Sequence, residues 1–154
     1  MDIGSGGYPS SALSNFAGHR FTIDGIECYS MEGFLQSLKF KSPEMQCEVC
    51  KLIGKMAKFK GKKKKWYTTQ TLYWRGQEIK RKSIEYQNLL NLAYNSMFEQ
   101  SESFRKALLS TNGSLTHSMG KNDKSKTVLT TTEFCGRLIK LRDQGLLINK
   151  NIEL

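Results

Sequence analysis

Three side chains raise the chemical question first: Glu32, Gln36 and Lys39, separated by four and three residues. On a helix those intervals bring an acid, an amide and an amine onto one stripe. A carboxyl group moves protons, and an amine that has lost its proton is a nucleophile. Phe34 and Leu38 fall near the opposite face and would hold such a helix against a core. The same pattern also describes an amphipathic surface helix with ordinary i,i+4 contacts. Spacing alone does not separate the two.

A second concentration of charge lies downstream. Residues 51–65 contain eight lysines and no acid, so of a formal net charge of +10 the rest of the chain carries only +2. A local basic patch points to a local anionic partner, either nucleic acid, a dinucleotide or a phosphorylated small molecule. A solvated loop that aids solubility is the plain alternative. Cys47 and Cys50 form a CxxC pair, but no second CxxC or His pair follows to complete a zinc site, and both fall in a predicted helix. The four cysteines read as reduced thiols. No metal or cofactor is expected.

The elements that must position these groups follow from local signals. Arg20–Ile23 and Ile26–Tyr29 are short strand-like runs flanking Asp24-Gly25, which predicts a tight hairpin. Ser30 is placed to cap a helix from Met31 to about Phe40. Ser42-Pro43-Glu44 opens another, expected to run to about Met56. Phe59–Trp74 reads as loop with short helical pieces. Helical spacing of Leu89, Leu90, Ala93, Tyr94 and Met97 predicts a long helix over Lys82–Phe98, and Phe104–Leu108 a shorter one. A polar loop spans His117–Lys126. Thr130 and Glu133 have capping-box spacing and open a last helix, with Gly145 as its expected end. The expected fold is mainly α, of α+β class: one compact helical domain over 1–154 with a small N-terminal β-hairpin, a core at about 8–147 and flexible ends.

Read in order, these pieces form a wider pattern. Leu13-Ser14-Asn15-Phe16 is followed by the Asp24-Gly25 turn, then by Glu32, Phe34, Gln36 and Lys39-Phe40. Gly54 and the basic stretch come next, then Met97–Gln100, Leu108–Thr111 and Leu138–Arg142. The ordered set resembles the YbiA-like (NADAR) N-glycosidase family from about Tyr8 to Leu147. Gly33 stands where that family commonly has His.

The resemblance implies an enzyme that hydrolyses a ribosyl C1′–N bond. Its substrates would be ADP-ribose attached to a guanine base or a riboflavin-pathway ribosylamino-pyrimidine phosphate. It implies Lys39 as a Schiff-base nucleophile and Glu32 as general acid/base. Gln36 would orient either group or hold a ribose hydroxyl, Asn15 would bind a base edge or hydroxyl, and Phe16 would stack or close the pocket. Trp66 and Trp74 would stack a base beside the lysines, His117 would act near neutral pH, and Asp123 would help fix the ribose or leaving group. The partners so implied are ADP-ribosylated nucleic acid or a phosphorylated ribosylamine. Two other readings stand beside this one: a module that binds ADP-ribose or a nucleotide without cutting it, and a nucleic-acid-binding protein. No apolar run approaches the roughly 18 residues that span a bilayer, and the Met1–Gly7 segment has neither a basic start nor an apolar core. A cytoplasmic location is therefore expected.

Overall fold

The structure, a computed structural model, describes residues 1–4 and 6–153. Its helices are α1 (Ser10–Leu13), α2 (Met31–Ser37), α3 (Pro43–Cys50), α4 (Gly54–Lys62), α5 (Ile84–Gln100), α6 (Glu102–Leu109) and α7 (Thr131–Glu153). Two antiparallel hairpins accompany them, β1–β2 (Phe21–Ile23, Ile26–Cys28) and β3–β4 (Thr71–Trp74, Gln77–Lys80). This is the mainly helical α+β domain that the periodicity implies. No helix among the described residues is long and apolar enough to cross a membrane.

The first hairpin forms where Asp24-Gly25 predicts it. Both residues take positive φ, 50° and 78°, as a two-residue primed turn requires. Register pairs Phe21 with Cys28 and Ile23 with Ile26, so Phe21, Ile23 and Cys28 are buried. The second hairpin corrects the loop expected over Phe59–Trp74. That stretch ends α4, makes a 3-10 turn at Trp66–Thr68 and enters β3. The hairpin turn is Arg75-Gly76, again at positive φ (53° and 82°).

Two helices differ in length from expectation. The helix expected over Pro43–Met56 divides, because Gly54 adopts φ 59° and starts α4 in a new direction. The last helix does not stop at Gly145. A Cβ there would lie 2.9 Å from Leu109 and 3.0 Å from Phe98, so the glycine serves close approach of α7 to α5 and α6. The helix start is as expected. Thr130 Oγ1 accepts from Glu133 N–H (3.1 Å), and Glu133 Oε1 accepts from Thr130 N–H (2.8 Å).

The core runs from the hairpins to α5, α6 and α7. Phe34 of α2 meets Phe21 and Trp74 edge-on, with ring centroids 6.3 and 5.1 Å apart. Tyr86, Tyr94, Phe104 and Phe134 are fully buried beyond them. The N-terminus is tied down rather than loose. Ile3 is buried, its N–H bonds Thr116 O at 2.8 Å, and the Asp2 carboxylate accepts from Thr116 and Ser118. On the other side of the late loop, the buried Arg81 guanidinium binds Glu133 bidentately (2.6 and 3.1 Å) and Thr127 O (2.8 Å). These ties fix the loop that carries His117.

Candidate active site

Helix α2 is held at its start by Ser30, whose Oγ accepts from Gly33 N–H (3.0 Å) and donates to Leu52 O (2.8 Å). This seats the first turn directly on the end of α3. A Cβ on Gly33 would lie 2.6 Å from Leu52 O, 2.8 Å from Cys50 O and 2.9 Å from Val49 O. Any side chain at that position would strike three backbone carbonyls. Glu32 comes next to this contact, and its N–H donates to Asn15 O at 3.0 Å. The Asn15 side chain is fixed in turn by Tyr94, whose hydroxyl donates to Oδ1 at 2.8 Å. The Leu13–Phe16 segment, α2 and α5 therefore meet at one point.

Gln36 follows one turn along α2 and donates from Nε2 to Glu32 Oε1 at 2.9 Å. It is only 7% exposed, and its Oε1 has no hydrogen-bond partner. The amide fits a notch in α4, because a Cβ on Gly61 would collide with Oε1. Lys39 lies beyond the C-cap Leu38, in the turn that follows α2 rather than in the helix, with its N–H on Gln36 O at 3.2 Å. That turn continues the helical sense, so the stripe of acid, amide and amine survives.

The electrostatics of the pair run in opposite directions. Burial raises the Glu32 carboxyl above its ordinary value, against the Gln36 hydrogen bond and the fields of Lys39, Lys58 and His117. Burial lowers the half-buried Lys39 amine, against the field of Glu32. The two groups sense each other without forming one of the contact ion pairs made by the described residues. Desolvation thus favours a protonated acid beside an unprotonated amine, and such a split marks out acid and base partners.

The other expected residues divide. Phe16 is half-buried against Gly54, 3.8 Å from the position a Cβ would take. His117 is held edge-on to Phe134, and its Nδ1 donates to Ile3 O at 2.7 Å, which leaves Nε2 as the ring nitrogen open to another partner. Trp66 and Trp74 are 7% and 5% exposed. They belong to the core, and Trp74 Nε1 donates to Asp24 Oδ2 at 2.8 Å, so neither ring offers a free face as the base-stacking expectation requires. Asp123 is exposed and accepts from Ser125 N–H (2.9 Å) and Oγ (2.7 Å), which hold its carboxyl below the usual range. It shapes its own loop. Tyr94 and Lys58 join the site without having been singled out. Tyr94 looks like one more apolar position on a long helix, and Lys58 like one lysine among eight.

Two clefts open on the surface. One of about 530 Å³ lies over α3 and α4, lined by Glu48, Leu52, Met56, Phe59 and Lys60. Another of about 250 Å³ lies between α5 and α7, lined by Asn91, Asn95, Arg137 and Lys140 and reaching Tyr94. Neither is lined by Glu32 or Lys39. Among the described residues no three His, Cys, Asp or Glu side chains converge as metal ligands.

Fold and site together describe a small α+β domain with an acid–amide–amine stripe at one end of α2. The fold is that of the Escherichia coli protein YbiA. Its NMR structure matches with a TM-score of 0.62 at 21% identity, covering 97% of this chain and 86% of that one. A family model described as bacteriophage protein GP30.3 matches residues 7–143, and the chain belongs to that family. A relative 38% identical over 139 residues, 88% of this chain and 91% of its own length, is the "Uncharacterized 17.1 kDa protein in Gp30-rIII intergenic region" of Enterobacteria phage T4.

Proposed function

We propose that the protein is an N-glycosidase that hydrolyses a ribosyl C1′–N bond, with Lys39 as nucleophile and Glu32 as proton shuttle. The supporting observation is the pair itself: a half-buried amine shifted down and a half-buried carboxyl shifted up, on one stripe formed by α2 and the turn that ends it. An ordinary lysine with a pKa of about 10.4 is about one part in a thousand unprotonated near pH 7.4. Lowering that value enlarges the reactive fraction. A carboxyl that keeps its proton can give it to a leaving nitrogen.

The steps balance without a co-reactant other than water. Ring opening breaks C1′–O4′, with the Glu32 proton going to O4′ and C1′ left double-bonded to its nitrogen. The Lys39 amine adds to that carbon, and Glu32 takes the proton from the added amine and passes it to the departing nitrogen. The C1′–N bond breaks, and C1′ is left as a Schiff base on Lys39. Water adds to that carbon, the carbinolamine collapses, and the free sugar leaves with the amine restored. Gln36 steadies Glu32 in either state. Turning its amide end for end lets the unpartnered Oε1 accept from the protonated carboxyl. Asn15, braced by Tyr94, and Nε2 of His117 would hold ribose hydroxyls or the base edge.

The substrates that suit this chemistry are an ADP-ribosylated guanine base and a ribosylamino-pyrimidine phosphate. Incubation with each, with release of the ribosyl product followed by mass spectrometry, tests the reading. Wild type releases product and Lys39→Ala, still folded, does not. Equal release by the variant rules out the covalent role.

One observation favours a second reading, capture of ADP-ribose without cleavage. The side chain that the resembled family places after its glutamate has no room here, where Gly33 packs on three carbonyls. Calorimetry with ADP-ribose, followed by recovery of the ligand intact, would select this reading.

A further inference from the structure

We propose that α4 and the turn that follows it form a docking surface for single-stranded nucleic acid, leading to the Glu32–Lys39 site. The docking stands by itself, while the purpose given to it rests on the N-glycosidase reading. Lys51, Lys55, Lys58, Lys60 and Lys62–Lys65 are all exposed, and none enters an ion pair made by the described residues. Lys62 stands over one face of Phe59, 6.0 Å from its centroid, and Lys64 over Phe40 at 4.9 Å, and no carboxylate among the described residues neutralises any of the eight. The segment contains no arginine, so it presents point charges that follow a backbone rather than forks that read bases. Two large rings stand among these charges, Phe59 at 58% and Tyr67 at 50% exposure. Lysines that track a backbone beside exposed aromatic faces make up the sequence-tolerant single-strand platform.

The surface borders the site. Lys58 acts on the Glu32 carboxyl, Gly61 receives the Gln36 amide, and Gly54 lies against Phe16. A strand lying on α4 therefore passes the groups that would act on one of its nucleotides. In a duplex that nucleotide is stacked and paired, whereas a single strand presents it without that cost. This favours a single strand over a duplex, and the ring faces favour nucleic acid over an acidic protein.

The test is fluorescence anisotropy of a labelled, unmodified oligothymidylate of about 20 nucleotides, longer than one binding site, titrated with the full chain at several salt concentrations. Binding is expected to weaken steeply with salt. Replacing Lys62–Lys65 by Gln is expected to reduce the slope of log K against log salt by about 3, at about 0.7 per lost phosphate contact. Phe59→Ala and Tyr67→Ala are each expected to lower affinity about tenfold with the slope unchanged. A duplex of the same length should bind more weakly. The proposal is overturned by absent binding at low salt, by a four-lysine variant that binds like wild type, by tighter binding to duplex, or by binding to phosphatidylserine vesicles without binding to the oligonucleotide. Docking is read on the unmodified oligonucleotide and turnover on a free ribosylamine, so the two are measured separately. Docking without turnover would therefore remove the glycosidase reading and keep the surface, and turnover of a free ribosylamine without docking would do the reverse.

Discussion

Replacing Glu133 by Gln removes one charge and almost no volume from a site that closes the late loop onto α7. The native carboxylate accepts from Arg81 Nη1 and Nη2, from Gln87 Nε2 at 2.6 Å, and from the backbone and hydroxyl of Thr130 at 2.8 and 2.9 Å. Arg81 is 0% exposed, so the variant leaves a guanidinium out of water with no counter-charge. Breaking one side of such a buried pair costs about 3–5 kcal/mol. In a chain of this size each kcal/mol lowers Tm by about 2–4 °C, so a fall of roughly 10–15 °C is expected by calorimetry. The same pair sets an acid limit. Despite its burial, the Arg81, Gln87 and Thr130 hydrogen bonds pull the Glu133 pKa from 4.5 down to about 2. A carboxyl depressed by folding contributes stability that is complete above its unfolded value and is lost as pH falls toward the folded one. Wild type should therefore lose stability from about pH 4.5 to about pH 2, and Glu133→Gln should lose less over that window. A variant that melts within about 2 °C of wild type, or that keeps the full acid dependence, would refute the reasoning, because a change that small is under 1 kcal/mol.

Gly33→Ala should destabilise the fold by about 1–3 kcal/mol in urea unfolding, because its Cβ meets three rigid carbonyls. Gly136→Ala, which meets nothing within 4 Å inside α7, should instead stabilise by about 0.5–1 kcal/mol. Gly61→Ala should melt close to wild type yet lose about tenfold or more in turnover, the scale of one lost positioning contact, because its methyl displaces a flexible amide and frees the Glu32 carboxyl. The pH profile of kcat/KM should be bell-shaped, with its acidic limb above the ordinary glutamate value and its basic limb below the ordinary lysine value, as the opposed shifts require.

What could be read from the sequence was what local chemistry determines. Asp24-Gly25 specifies a primed turn by residue type, Ser30 and Ser42 cap the helices they precede, and Thr130 with Glu133 closes a capping box. The Glu32–Gln36 contact follows from helical spacing. The rest depends on residues far apart in the chain. Arg75-Gly76 turns a hairpin without the Asn or Asp signal, and its second strand, Gln77–Lys80, is mostly exposed and so shows no apolar alternation. Gly145 looks like a stop signal and is a contact, because Leu109 and Phe98 lie against it. Trp66 follows the lysine run and Trp74 precedes Arg75 in sequence, but both rings turn inward, where they bury the most apolar area. The notch at Gly61 is visible only once α4 lies across Gln36.

The central claim is that one amine, lowered by burial and beside one carboxyl, reacts covalently with C1′. Borohydride reduction during turnover of an ADP-ribosylated guanine oligonucleotide and of a ribosylamino-pyrimidine phosphate, followed by peptide mass spectrometry, reads this directly. The account predicts a ribosyl adduct confined to the peptide carrying Lys39 and absent in Lys39→Ala. Turnover with no trapped adduct, or an adduct on the lysines of α4 instead, would contradict it.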